Sequence, residues 1–162
     1  EGLDADFTIC GSFRRKKPDS GDIDVLFYPK KKYDPAFLPM VVDKLIKKKF
    51  LIDHLTIGGE TKYMGICQLT KKGIPRRIDI RYIKKEHVAS SLLYFTGSGV
   101  FNRNMRTYAI KKGYKLNEYG LYKLKKDGKP GLKMKAETEQ DIFKVLGLAY
   151  VKPENRVETY VF

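Results

Sequence analysis

Apolar and polar residues alternate with period two in two short stretches of the chain. Ile23, Val25 and Phe27 interleave with Asp22, Asp24 and Leu26, and Ile78, Ile80 and Tyr82 interleave with Arg77, Asp79 and Arg81. That period belongs to half-buried β-strands, whose successive side chains point to opposite faces. Phe7 to Cys10, Leu51 to Ile57, Thr61 to Leu69 and Ile74 to Ile83 predict four strands besides the Asp22 segment, the later ones set apart by Gly58-Gly59 and by Lys71-Lys72-Gly73. Phe37, Leu38, Val41, Leu45 and Ile46 recur at helical spacing, which predicts a helix over 34–50 with Asp34 as N-cap and Pro35 as its first residue. A mixed sheet with a helix against it follows for this part of the chain. Beyond Lys85 the pattern turns helical, through Leu93 and again from Val100 to Lys112, where Gly113 is placed to end the helix. Tyr114 to Leu124 predicts a strand pair bending at Asn117-Glu118-Tyr119-Gly120, and Thr138 with Asp141 predicts a capping box opening a helix that Gly147 closes. The fold class is therefore α/β of the α+β kind, in two parts, 1–85 and 86–162, with the boundary set by the change of pattern near Glu86.

A chain of 162 residues can bury one good core or two small ones. Lys and Arg number 33 against 19 Asp and Glu, a net charge of +14, which favours a partner rich in phosphate. The runs Lys30 to Lys32, Lys47 to Lys49 and Lys123 to Lys126 read as solvated faces with no specific contact. No run of about 18 apolar residues occurs, so no membrane partner is expected. No signal peptide is recognisable, and the chain opens on Glu1, so its natural N-terminus is expected upstream. Cys10 and Cys67 lie in apolar strand patterns and read as buried thiols, which fits a reducing, intracellular compartment, nuclear if the cell is eukaryotic. His54 and His87 stand apart from each other and from any Cys pair, so both read as structural and neither suggests zinc.

The candidate chemistry rests on carboxylates. Side chains two apart on a strand share a face, so Asp22 and Asp24 project together. If the second strand lies beside the first, Asp79 completes a cluster of hard oxygen donors of the kind that holds Mg²⁺ with substrate phosphates. Two such ions about 3.5–4 Å apart stabilise the attacking and leaving oxygens of a phosphoryl transfer. Upstream, Gly11-Ser12 follows an apolar strand and lets backbone amides approach a phosphate, and Arg14 and Arg15 come next, at least one of them expected on phosphate. Arg77 and Arg81 share the face of Asp79 and neutralise it. Together these features describe a nucleotidyltransferase site, with triphosphate on the turn and metal on the carboxylates.

Gly11-Ser12-Phe13-Arg14-Arg15, Ser20-Gly21-Asp22-Ile23-Asp24-Val25, Arg76 to Arg81, Tyr94-Phe95-Thr96-Gly97-Ser98, Phe101 to Arg106, Asn117-Glu118-Tyr119, Asp141-Ile142-Phe143 and Lys152 to Arg156 closely resemble, in order and spacing, the family X DNA polymerases of the DNA polymerase beta type. The resemblance spans nearly the whole chain. It implies a nucleotidyltransferase palm followed by a small helical and β-hairpin subdomain, called thumb or fingers by different conventions. It further implies that Asp22, Asp24 and Asp79 ligate two Mg²⁺ ions, with Mn²⁺ as a substitute, and that Asp79 takes the proton of the primer 3′-hydroxyl. Gly11, Ser12, Arg15, Ser20 and Gly21 would hold the triphosphate, and Tyr94, Phe95 and Gly97 would lie against the incoming sugar. Asn102 and Arg106 would meet nucleotide and template in the minor groove, Arg103 would pack on the templating base, and Lys62, Arg77, Arg103 and Arg106 would contact DNA. Arg81 resembles a conformational switch, pairing with Asp24 in an open state and with Glu118 or Tyr119 in a closed one.

The implied function is that of a DNA-directed DNA polymerase core filling gaps in base excision repair, acting as a monomer on gapped or nicked primer-template DNA and dNTPs. A template-independent terminal transferase, or a binding fragment without turnover, are the rival readings; Arg103 and Arg106 favour a templated reaction. Gly99 departs from the pattern, because beta-type enzymes carry an acidic residue there against the nucleotide. Only ten residues precede Gly11, and the N-terminal lyase domain and helix-hairpin-helix segment of the family are missing, so lyase activity is not expected and DNA affinity should be weak.

Overall fold

The computed structural model describes residues 3–162 and divides into two compact units. One comprises the chain up to Phe13 together with Pro18–Lys85; the other comprises Arg14–Lys17 together with Glu86–Phe162. A single boundary at Glu86 therefore misses one exchange, the short basic segment after the Gly-Ser turn. The reason is a buried ion pair considered below.

The first unit contains strand β1 (Ala5–Ile9), a single helical turn α1 (Gly11–Arg14) that runs to its edge, β2 (Asp22–Pro29), helix α2 (Phe37–Lys47), β3 (Leu51–His54), β4 (Lys62–Cys67) and β5 (Arg76–Tyr82). The five strands form one sheet in the order β1-β2-β5-β4-β3, with β2 and β5 parallel and every other pair antiparallel. Alternation decides what each face carries. Phe27, Ile78, Ile80, Tyr82, Tyr63 and Cys67 point into a core closed by Phe37, Leu38 and Val41 of α2. Burying side chains of this kind stabilises by about 1.5–3 kcal/mol each. Asp22, Asp24, Arg77, Asp79, Arg81 and Lys62 occupy the opposite face.

Helix α2 begins at Phe37, two residues later than the pattern suggests, and its N-cap, Ala36, makes no side-chain cap. Asp34 spends its hydrogen bonds earlier: its carboxylate accepts from Ala36 N at 2.9 Å and its carbonyl from Phe37 N at 3.0 Å. A short polar side chain that bonds two residues on closes a turn of its own instead of capping a helix. Pro39 sits in the first helical turn, where its missing N–H costs nothing. Strand β3 stops at His54 and does not reach Ile57, because Leu55 N and Thr56 N both donate to Met64 O, at 2.9 and 3.1 Å, and end the regular ladder. Cys10 and Cys67 are both buried, and neither is in a disulfide.

The second unit holds α3 (Val88–Thr96), α4 (Gly99–Lys111), a sheet of β6 (Tyr114–Asn117), β7 (Gly120–Leu124) and β8 (Pro130–Lys133), and α5 (Glu139–Val145). Its core gathers Leu93, Phe101, Met105, Ala109, Leu116, Leu121, Ile142 and Phe143. Strand β8 carries no legible pattern, since Pro130 and Gly131 make half of its four residues. The helix ends follow the sequence. Gly113 leaves α4 at φ +83°, and Gly147 follows α5 at φ +71°. The capping box is present: Thr138 Oγ1 accepts from Asp141 N at 3.3 Å, while the Asp141 carboxylate accepts from Thr138 N at 3.0 Å and Glu137 N at 2.9 Å. Among the described residues no helix is long and apolar enough to cross a membrane.

Thr138→Ala removes one half of that box, and its expected cost is about 1 kcal/mol, or a melting point lower by about 2–4 °C. Thermal unfolding followed by circular dichroism measures it; an unchanged midpoint would mean that α5 is held by packing alone.

Candidate active site

The polar face of the first unit draws together residues far apart in sequence. In the parallel register of β2 and β5, Asp22 lies beside Arg77, Asp24 beside Asp79 and Leu26 beside Arg81. Adjacent strands run about 4.8 Å apart, so Asp24 and Asp79 are immediate neighbours, with Asp22 one pleat along on the same face. On the other side of β5, Lys62 pairs with Arg81 and Met64 with Asp79. Arg77 Nη2 donates to Asp79 Oδ1 at 3.0 Å, and both side chains keep partial access to solvent. Among the described residues no three His, Cys, Asp or Glu side chains are gathered tightly enough to hold a metal ion as they stand. The three aspartates are a shared face of hard oxygen donors. That chemistry suits Mg²⁺, which takes only one or two protein carboxylates and fills its octahedron with water and substrate phosphates.

The Gly-Ser turn lies against this face. Cys10 N donates to Asp24 O at 2.7 Å, and Gly11 follows at φ +61° as the first residue of α1. A Cβ at Gly11 would collide with the Asp24 carboxylate, so only glycine lets the turn and the aspartate coexist there. Ser12 Oγ donates to Ser20 Oγ at 2.7 Å, which ties the turn to the residue before Gly21 and Asp22. The Gly11-Ser12 turn is thus held beside the residues that open β2.

The other sequence-derived residues sit in the second unit. Tyr94, Asn102 and Arg106 line a shallow cleft with Ser90, Leu93, Met105, Leu116 and Asn117. Asn102 Nδ2 donates to Tyr94 O at 2.7 Å, and the Arg106 guanidinium lies 4.8 Å from the Tyr94 ring centre. Arg103 is exposed one residue along α4, and Phe95 meets Tyr94 edge to face. Gly97 has φ +72°, its peptide to Ser98 is cis, and a Cβ on it would come within 2.9 Å of Arg15 Nη1. Ser98 caps α4, accepting from Phe101 N at 3.3 Å, and a Cβ added at Gly99 in the first turn would meet open space. Glu118 and Tyr119 occupy the β6–β7 turn, where Asn117 Oδ1 accepts from Tyr119 N and Gly120 N.

The two arginines after the turn are committed within this unit. Arg14 donates to Thr96 Oγ1 at 2.6 Å and grips Glu139 with both terminal nitrogens. Arg15 Nη1 donates to Thr96 O at 2.5 Å. Arg14 is therefore held in a structural ion pair, whereas Arg15 makes a hydrogen bond to a backbone carbonyl. Glu139 is 4% exposed and Arg156 0%; Arg156 donates to Glu139 Oε2, to Val151 O at 3.0 Å and to Tyr150 Oη at 3.4 Å. Burial by itself would raise the Glu139 pKa, but hydrogen bonds and charge from Arg14 and Arg156 outweigh it and hold the carboxyl below its ordinary value. Glu139 and Arg156 escape sequence reading: an acid in a first helical turn and an arginine near a chain end both look like solvated charge.

The chain also matches known proteins along most of its length. The DNA polymerase beta palm family model matches residues 2–85, and the DNA polymerase beta thumb model matches residues 91–157. The chain is 40% identical over 159 residues to DNA polymerase lambda of Rattus norvegicus, covering 91% of this chain and 28% of the relative. It is 30% identical over 165 residues to DNA polymerase lambda of Arabidopsis thaliana, covering 91% and 31%. It is 26% identical over 170 residues to the DNA polymerase type-X family protein pol4 of Schizosaccharomyces pombe, covering 96% and 34%. The chain thus spans about a third of the length of these relatives.

Glu139→Ala should lower stability by about 3–5 kcal/mol, because it leaves two arginines facing a buried void. Since the folded-state pKa is depressed, Glu139 contributes its full stability above the unfolded value of about 4.3 and loses it as pH falls through the lower folded value. Urea midpoints at neutral pH and below pH ~4 measure both effects, and the acid-side loss should shrink in Glu139→Gln. Identical acid profiles for Glu139→Gln and the parent chain would show that the carboxyl does not drive it.

Proposed function

The chain belongs to the family X DNA polymerases of the DNA polymerase beta type, and on that footing we propose that it carries the polymerising centre of a DNA-directed DNA polymerase acting in gap-filling repair. The observation that carries the reading is the β2–β5 register, which sets Asp24 beside Asp79 with Asp22 on the same face. Asp22, Asp24 and Asp79 would hold two divalent ions, whose chemistry when bound is to stabilise the attacking and leaving oxygens of an in-line displacement. Everything else is asked of the chain's own groups. Gly11, Ser12, Ser20, Gly21 and Arg15 bind the triphosphate. Asp79, freed from Arg77, receives the proton of the primer 3′-hydroxyl as that oxygen bonds to the α-phosphorus of the dNTP and pyrophosphate departs. The exposure of the Arg77–Asp79 pair supports this, because a solvated ion pair contributes only about 0–1 kcal/mol and can be exchanged at little cost. Lys62, Arg77, Arg103 and Arg106 supply cations for the DNA backbone and template, and Asn102 a hydrogen bond to the nascent base pair. The substrates on this reading are gapped primer-template DNA and dNTPs, and the acting species is a monomer.

Two outcomes are expected. Asp79→Ala should abolish nucleotide incorporation in a gapped-primer extension assay with Mg²⁺, while DNA binding measured by anisotropy stays within about twofold. A variant that keeps more than a few per cent of the activity would sink the assignment, and equal extension with the template omitted would favour a terminal transferase.

The Tyr94 to Gly97 segment should favour dNTPs over rNTPs, since a ribose 2′-hydroxyl left unpaired there costs about 1–3 kcal/mol, roughly five- to 150-fold in catalytic efficiency. Gly97→Val, which forces a side chain into a positive φ and against Arg15, should lower incorporation of both sugars. Equal efficiencies on paired dNTP and rNTP substrates would reduce the segment to core packing.

A further inference from the structure

Half of the chain's net charge of +14 falls on 25 residues: from Lys111 to Lys135 there are nine lysines against two acids, Glu118 and Asp127. This stretch includes β6, β7 and β8. In their register Lys115 pairs with Tyr122, and Tyr122 in turn with Lys133. Cross-strand partners share a face. On β6 and β7 the opposite face carries Leu116 and Leu121, both buried in the core, so Lys115, Tyr122 and Lys133 form a row across the outward face. Two strand spacings separate the lysines, about 10 Å from one edge to the other.

The row is shaped as well as charged. Gly120 lies beside it, and a Cβ there would come within 2.6 Å of Lys133 Cε, so glycine clears the path of that side chain. Lys133 Nζ comes to rest 3.1 Å from His87 Nδ1 and 3.4 Å from Glu86 O. Beyond it, His87 meets the exposed Tyr119 ring edge to face at 5.6 Å. The two acids leave the stretch at +7, nine lysines against two carboxylates.

We infer that the outward face of β6–β7–β8 is a platform for single-stranded nucleic acid, with a base stacked on Tyr122 and flanking phosphates on Lys115 and Lys133. An aromatic ring on a sheet between two cations matches a strand whose bases are splayed out, and a duplex offers no such base. The inference takes DNA as substrate from the proposed function and assigns to this face the unpaired stretch beside the paired region. It uses none of the aspartate face.

The test is anisotropy of the full chain on fluorescein-labelled oligo(dT) and on a blunt duplex, across a salt series. Tyr122→Ala should weaken oligo(dT) binding by about five- to 150-fold and leave the duplex unchanged, with Tyr122→Phe near the parent. Lys115→Ala, an exposed position where folding is not at stake, should reduce the slope of log K against log salt on oligo(dT) by about 0.7. Parental oligo(dT) binding by Tyr122→Ala, or a parental salt slope in Lys115→Ala, overturns the platform. Asp79→Ala serves as the reference. If it and the parent both bind oligo(dT) through Tyr122 while the parent fails to extend primers, the polymerase reading falls and the platform stands; if the parent extends primers but Tyr122 is silent, only the platform falls.

Discussion

The parallel pairing of β2 with β5 is the constraint on which the rest of the first unit depends. Among the described residues it is the one parallel contact in an otherwise antiparallel sheet, and it requires the chain to travel out through α2, β3 and β4 before β5 can return beside β2. Helix α2 covers one face, and the carboxylates and arginines of β2 and β5 lie on the other. Slipping the register by a single residue would turn Asp24 or Asp79 into the core and a buried isoleucine out of it, so hydrophobic burial holds two like charges side by side. Arg77 offsets part of their repulsion. The core positions the carboxylates; the carboxylates contribute nothing to the core.

Charge is used in two opposite ways in the two units. The Arg77–Asp79 pair keeps access to solvent, so its attraction is weak and its partners are exchangeable. Glu139 lies sealed between Arg14 and Arg156, where losing one partner strands the others without water. The first arrangement suits a site where groups must change partners during chemistry. The second suits a clamp, and it explains why residues 14–17 pack with the second unit although a turn joins them to the first. The same Glu139 group leaves Arg15 and Thr96 linked beside Gly97, so the backbone geometry at the Tyr94 to Gly97 segment is tied to a buried carboxylate that no local pattern marks.

Much of this protein was determined locally and was therefore legible in the sequence. Period-two alternation names β2 and β5 and says which residues face together. Gly113, Gly147 and the Thr138–Asp141 box mark helix ends by rules that need only neighbours. The order of recognisable segments indicates the family. What alternation cannot say is which strand lies beside which, because pairing depends on loop closure and core packing over tens of residues. Tertiary structure alone decided that Asp24 stands against Asp79, that a Gly11 side chain would strike Asp24, and that Arg14 is spent on Glu139. It also moved the start of α2, where Asp34 closed its own turn, and added β8, whose Pro130 and Gly131 carry no strand signal until β7 supplies a partner. The physical reason is common to all of these: a side chain's type is written in the sequence, but its partner is chosen by whatever the folded chain brings within hydrogen-bonding distance once water has been removed.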